Sequence, residues 1–156
     1  MKPSSLLVIL FYFIGLTTYA DSICLTKSYA PQIKTIQLYK QGFELSQPII
    51  QLGVADPLEL HFDELTTQNK SYKYRFIHCN ANWMPSNTMP SEFLKTQYEE
   101  YVLNIEPSFN TLTPYIHYST SFPNEHIQFI ESGNYVICVF DEEYPEVNVL
   151  TARFMV

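Results

Sequence analysis

Over most of the chain apolar and polar positions alternate with a period of two, the spacing of strands buried on one face. Thr35-Ile36-Gln37-Leu38-Tyr39 alternates. Lys40-Gln41-Gly42 reads as a turn, and Phe43-Glu44-Leu45 resumes the pattern, which predicts a hairpin with Gly42 at its tight position. Pro48 demotes Ile49 to Leu52 to an edge or irregular strand. Leu58-Glu59-Leu60-His61-Phe62-Asp63 is a clean period-two run, with Leu58, Leu60 and Phe62 toward a core and Glu59, His61 and Asp63 toward water. A polar turn over Thr66 to Lys70 leads into a strand over Ser71 to Asn80. There Tyr72, Tyr74, Phe76 and His78 share one face, and Ser71, Lys73, Arg75 and Ile77 the other.

Strand signals then lapse. Asn80 to Tyr101 has no sustained period and carries Pro85, Pro90, several Asn and Ser, and also Trp83, Met84, Met89, Phe93 and Leu94. Ser91 to Glu100 predicts a short helix with Ser91 as N-cap. A connection this long in a compact domain is often functional. Strand patterns return over Tyr101 to Ile105 and Thr113 to Thr120. Pro123-Asn124 turns the chain. Asn134 to Phe140 is apolar on both faces and is expected at the centre of a sheet. Asp141 to Glu146 forms an acidic turn, and Val147 to Val156 a last strand. About seven or eight short strands without a long helix indicate an all-β fold, an antiparallel β-sandwich of immunoglobulin-like or fibronectin-like type with one long irregular loop.

The first residues follow another rule. Lys2 precedes an apolar run from Leu6 to Leu16, then Thr17-Thr18-Tyr19-Ala20. A basic start, a run of this length and small residues at the cleavage positions read as a secretory signal peptide over residues 1–20. The run is short for a transmembrane span, so the protein is expected to be exported and not itself membrane-spanning. The sandwich is expected over 21–156. Loss of Lys2 leaves 8 basic against 16 acidic residues, moving the formal charge from −7 to −8. Asp21-Ser22-Ile23 before Cys24 lacks the small residue that a lipidated cysteine needs. With Arg75 and Arg153 as the only arginines, the acidic balance argues against nucleic acid. The 4 glycines form no phosphate-cradling motif.

Candidate chemistry is sparse. The 3 cysteines leave one unpaired at best. Cys79 and Cys138 invite comparison with an inter-sheet disulfide, but Trp83 and Tyr135 stand at the wrong spacings for it, and free, buried thiols fit better. The histidines, His61, His78, His117 and His126, form no metal-ligand spacing, and His78 and Cys79 point to opposite faces of one strand. No nucleophile motif occurs. Asp141-Glu142-Glu143 lacks calcium-loop spacing and reads as a solvated turn. Asn69-Lys70-Ser71 matches the glycosylation sequon. No catalytic residue, metal or cofactor is expected. The aromatic and Met-bearing loop reads either as a protein-binding surface or as a plug over one open end of the sandwich. A glycan-binding accessory module, with Trp83 and exposed tyrosines as stacking platforms, is the alternative.

Several segments in register resemble one known family. They are Ile33-Lys34-Thr35-Ile36-Gln37-Leu38-Tyr39, Phe43 to Ile50, Leu58 to Leu65, Tyr74-Arg75-Phe76-Ile77-His78-Cys79-Asn80-Ala81-Asn82-Trp83, Ser108-Phe109-Asn110-Thr111-Leu112-Thr113-Pro114-Tyr115, His117-Tyr118, Phe122-Pro123-Asn124 and Ser132-Gly133-Asn134-Tyr135. The His-Cys-Asn-x-x-Trp and Ser-Phe-Asn-Thr-Leu-x-Pro-Tyr runs are the most specific. Together they look like the N-terminal domain of the type IX secretion system plug protein, an exported Bacteroidota family. The resemblance implies a non-enzymatic periplasmic protein, associated with the outer membrane, that closes the translocon barrel by protein–protein contact. Family members are longer and carry further β-rich domains, so it also implies an N-terminal domain of a longer protein. On this reading Trp83, Met84, Met89 and Phe93 are the expected partner contacts. His78, Asn80 and Tyr135 are expected to position the loop.

Overall fold

The computed structural model describes residues 24–156, and the signal peptide expected over 1–20 lies outside the described residues. The elements are β1 (Lys27–Ser28), β2 (Ile33–Lys40), β3 (Leu58–Glu64), β4 (Tyr72–Cys79), the single-turn helix α1 (Pro90–Phe93), β5 (Glu99–Tyr101), β6 (Asn104–Pro107), β7 (Ile116–Phe122), β8 (Asn134–Asp141) and β9 (Asn148–Met155). They form a 5-stranded sheet in the order β1-β9-β8-β4-β5 and a 4-stranded sheet in the order β2-β3-β7-β6. All pairings between these strands are antiparallel. The chain is an all-β sandwich, as its alternation predicts.

The inward faces are those the period-two pattern marks. Leu58, Leu60 and Phe62 of β3 and Tyr72, Tyr74 and Phe76 of β4 are buried between the sheets. Aromatic rings run the length of this core. Phe62, Tyr72 and Tyr118 pack together toward one end, and Phe76, Phe122, Phe129 and Phe154 toward the other. Residues Tyr135 to Phe140 of β8 are buried on both faces, as their continuous apolar run requires, with β4 and β9 as neighbours. Glu64 is buried too, and its Oε1 accepts a 2.8 Å hydrogen bond from Lys70 Nζ.

Four expectations are corrected. Phe43 to Leu45 does not pair with β2 as a strand. β2 pairs with β3 instead, and the intervening 41–57 is an excursion of successive turns. The predicted turn itself forms, with Gly42 at φ 73 and one antiparallel bridge in which Phe43 N–H donates to Lys40 O, but pairing stops there: Ser46 N–H donates to Phe43 O and Ser46 Oγ accepts from Lys40 N–H. The helix spans one turn with Met89, not Ser91, at its N-cap. Pro90 occupies the first helical position, where a missing N–H is harmless, and the Glu92 carboxylate accepts the Met89 N–H at 2.7 Å. It stops because Lys95 and Gln97 donate to the carbonyls of Gln128 and His126 instead of to the preceding turn. The run Tyr101 to Ile105 is two strands. The chain crosses from β5 in one sheet to β6 in the other at Val102-Leu103, with Val102 buried. The strand expected from Thr113 starts at Ile116. Ser108 closes the loop ahead of it by donating its N–H to Tyr115 O and accepting Tyr115 N–H on its Oγ.

Candidate interaction surface

The long loop after β4 is built by the side chains that flank it. Asn80 organises its start: its Oδ1 accepts the N–H groups of Asn82 and Met84 at 2.9 and 3.2 Å, and its carbonyl accepts from Trp83 N–H and Asn134 Nδ2. This local bonding bends the chain enough to hold Trp83 at φ 60. His78 fixes the next part. Its Nδ1 is 2.7 Å from Ser86 Oγ, and its carbonyl accepts Ser86 N–H. The far side of the imidazole rests on Gly133, where an added Cβ would lie 2.6 Å from Nε2. Tyr135 packs edge-on against both His78 and Phe93 and donates its hydroxyl to Glu131 O at 2.7 Å. His78 and Asn80 thus bond directly to the loop, and Tyr135 touches it through Phe93.

The four expected contact side chains are not equivalent. Phe93 is 1% exposed and belongs to the core, inserted by α1 against His78 and Tyr135, so it offers no surface to a partner. Met89 is 68% exposed. Trp83 and Met84 are half-buried. The Arg153 guanidinium lies 4.4 Å from the centre of the Trp83 ring, a cation–π contact that occupies one of its faces. At the same end of the sandwich Leu52 and Val54 border a cleft of about 410 Å³ that Phe129 and Asn124 also line. Its walls are mixed, with Gln51, Glu125 and Gln128 among the apolar residues.

The opposite end carries a feature to which the sequence reading assigned no role. The loop over 108–115 presents Phe109 at 94% exposure and Leu112 fully exposed. Thr111 Oγ1 donates to Thr113 O inside the loop and Asn110 takes φ 57, so these apolar side chains stand on an ordered turn. The available signal was an aromatic and a Leu set among Ser, Asn, Thr and Pro without a strand period.

Strand pairing also assembles a polar group that spacing had scattered. His117 and Asp63 face each other across β3 and β7. The His117 Nδ1 lies 2.7 Å from Asp63 Oδ1, and its Nε2 lies 3.0 Å from His61 Nδ1. Tyr39 stacks on the His61 ring. Among the described residues no three His, Cys, Asp or Glu side chains are disposed to hold a metal ion. Cys24, Cys79 and Cys138 are free thiols. Cys79 and Cys138 lie on neighbouring strands of one sheet, so they cannot bridge the two sheets. Burial raises the Cys138 thiol to about 12, which leaves it protonated and unreactive.

The chain is a β-sandwich domain with apolar side chains exposed on ordered loops at its two ends. Residues 33–156 match the family described as "Type 9 secretion system plug protein 1st domain", and the chain belongs to that family. A similar solved structure is a hypothetical protein from Parabacteroides merdae, at 35% identity and a TM-score of 0.83. The match covers 86% of this chain and 34% of that one, so this chain spans about a third of the solved chain's length. An alkylpurine DNA glycosylase from Pseudomonas fluorescens, AlkC, solved on DNA with an abasic site analog, aligns at a TM-score of 0.41 and 11% identity over 80% of this chain and 29% of its own. That likeness carries no argument. No curated protein matches.

Proposed function

We propose that this chain is a non-enzymatic, exported component of the type IX secretion system that occludes the outer-membrane translocon from the periplasmic side. Family membership over 33–156 carries the reading. A wide, water-filled barrel leaks unless something stiff covers it. Two sheets locked by a continuous aromatic core deform little, because close-packed interiors do not yield to small forces. Such a body blocks a pore by occupying it, and contact needs only an apolar surface on an ordered loop. Met89, exposed on the loop after β4, offers an apolar side chain at the end of the sandwich that also carries the cleft at Leu52 and Val54. Among the described residues no helix is long and apolar enough to cross a membrane.

The test uses the full-length gene product, tagged and expressed in its own host. It is expected to co-purify with a large outer-membrane β-barrel, and its deletion is expected to admit solutes that ordinary porins exclude. Absence of both effects overturns the proposal.

A further inference from the structure

The 5-stranded sheet carries a second, smaller apolar cluster on its outer face. Cys79, Val136 and Cys138 are buried there, with Cys24, Ile77 and Trp83 packed against them. Cys24 arrives on the segment ahead of β1, and hydrogen bonds hold that segment down like a strap. Cys24 N–H donates to Trp83 O at 2.9 Å, and its carbonyl accepts from Arg153 Nε. Leu25 O accepts from Thr151 Oγ1 at 2.6 Å, and Thr26 Oγ1 accepts from Arg153 N–H at 3.0 Å. The strap therefore ties β9 to the loop that follows β4. These bonds hold Cys24 against the apolar cluster in which Cys79 is buried.

We propose that Cys24 and Cys79 form a disulfide in the exported protein, locking the strap and the Trp83 turn onto the outer face of the sheet. The cellular half of this proposal rests on the export reading above, since disulfides persist in oxidising compartments. Cys79 cannot pair with Cys138. In the β4–β8 register Cys138 faces Arg75 and Cys79 faces Asn134, an offset of four residues along the strand. Four residues of strand span about 13 Å, beyond the ~7 Å that a disulfide allows between Cα atoms. Cys24 lies outside the strand ladder, so its backbone can adjust.

The oxidant is a disulfide donor, either glutathione disulfide or the disulfide of a thiol oxidoreductase. The half-buried Cys24 is the accessible thiol. Its thiolate attacks the donor, forming a mixed disulfide and releasing one donor thiol. The Cys79 thiolate then attacks the Cys24 sulfur and releases the second. The pair gives up two electrons and two protons, and the donor disulfide becomes two thiols. Burial, and then the adjoining Cys24, push the Cys79 thiol well up from its ordinary value. The closing step therefore accelerates about tenfold per pH unit through the neutral range, as the thiolate fraction grows.

The experiment treats the purified chain with glutathione disulfide and maps its peptides without reduction. A Cys24–Cys79 peptide is expected, lighter by two hydrogen atoms than the reduced pair together. It should persist in Cys138→Ser and vanish in Cys24→Ser. Reduction should lower Tm by roughly 5–10 °C. Glutathione left on Cys24 with no cross-link, or Cys24 joined to Cys138, overturns the pairing. A second arm quenches intact cells with acid and alkylates free thiols before mapping. A cross-link that forms in vitro while both thiols are alkylated in cells overturns the claim for the exported protein and leaves the pairing geometry standing. Failure of the export reading is thus separable from failure of the geometry.

Discussion

Gly133 shows how much one position decides. Its missing side chain is the space that His78 fills, and His78 in turn holds Ser86 and the loop beyond it. Gly133→Ala should cost about 1–3 kcal/mol, the usual penalty for overpacking a site with no room, and denaturant unfolding measures it. In the double variant with His78→Ala the added methyl finds space, so the two penalties should be clearly less than additive. Additive penalties would mean that the contact carries no strain. The sequence shows Gly133 only as the residue ahead of the strand Asn134 to Phe140 and within a resembling segment; why the glycine is needed was not legible. The reason lies on β4, more than fifty residues away in sequence.

At the scale of elements, the two apolar loops make distinguishable predictions because they stand at opposite ends. The loop after β4 shares its end with the 41–57 excursion, and the 108–115 loop shares its end with the β3–β4 turn. If the β4 loop seats the partner, Met89→Glu in the full-length protein should weaken capture of the barrel at least about tenfold, the size of an interface anchor. Phe109→Ser with Leu112→Ser should leave capture unchanged. The reverse outcome moves the contact to the other end, and a pull-down titration reads either. All three side chains are exposed, so neither variant should shift Tm appreciably. Which loops share an end followed from strand pairing and could not be read from spacing alone. Phe93 illustrates the limit. On a loop without period it read as surface, yet one helical turn begun by Pro90 delivers it to the core.

For the whole molecule, the buried tyrosines tie stability to pH. Burial, the largest cause in each case, raises Tyr72, Tyr74, Tyr118 and Tyr135 above the ordinary value of 10.0. A raised folded-state value contributes stability that is fully present below about pH 10 and is lost as pH climbs toward the folded value. Tyrosinate absorbance and near-UV circular dichroism should therefore change together in one cooperative alkaline step. Smooth ionisation of these tyrosines near pH 10, with the dichroism intact, would refute it. The sequence by itself determined the β-sandwich class, the inward faces of β3 and β4, the central place of β8 and the family. Alternation on a pleated strand is local: each side chain's face follows from its own position in the chain. Only the tertiary structure decided that β2 pairs with β3, that Phe93 is buried, that His61 meets His117, and that Cys24 packs against the cluster holding Cys79. A strand's backbone edge is chemically the same whichever strand it meets. The choice of partner is therefore made by packing between residues far apart in the chain, which no local pattern records.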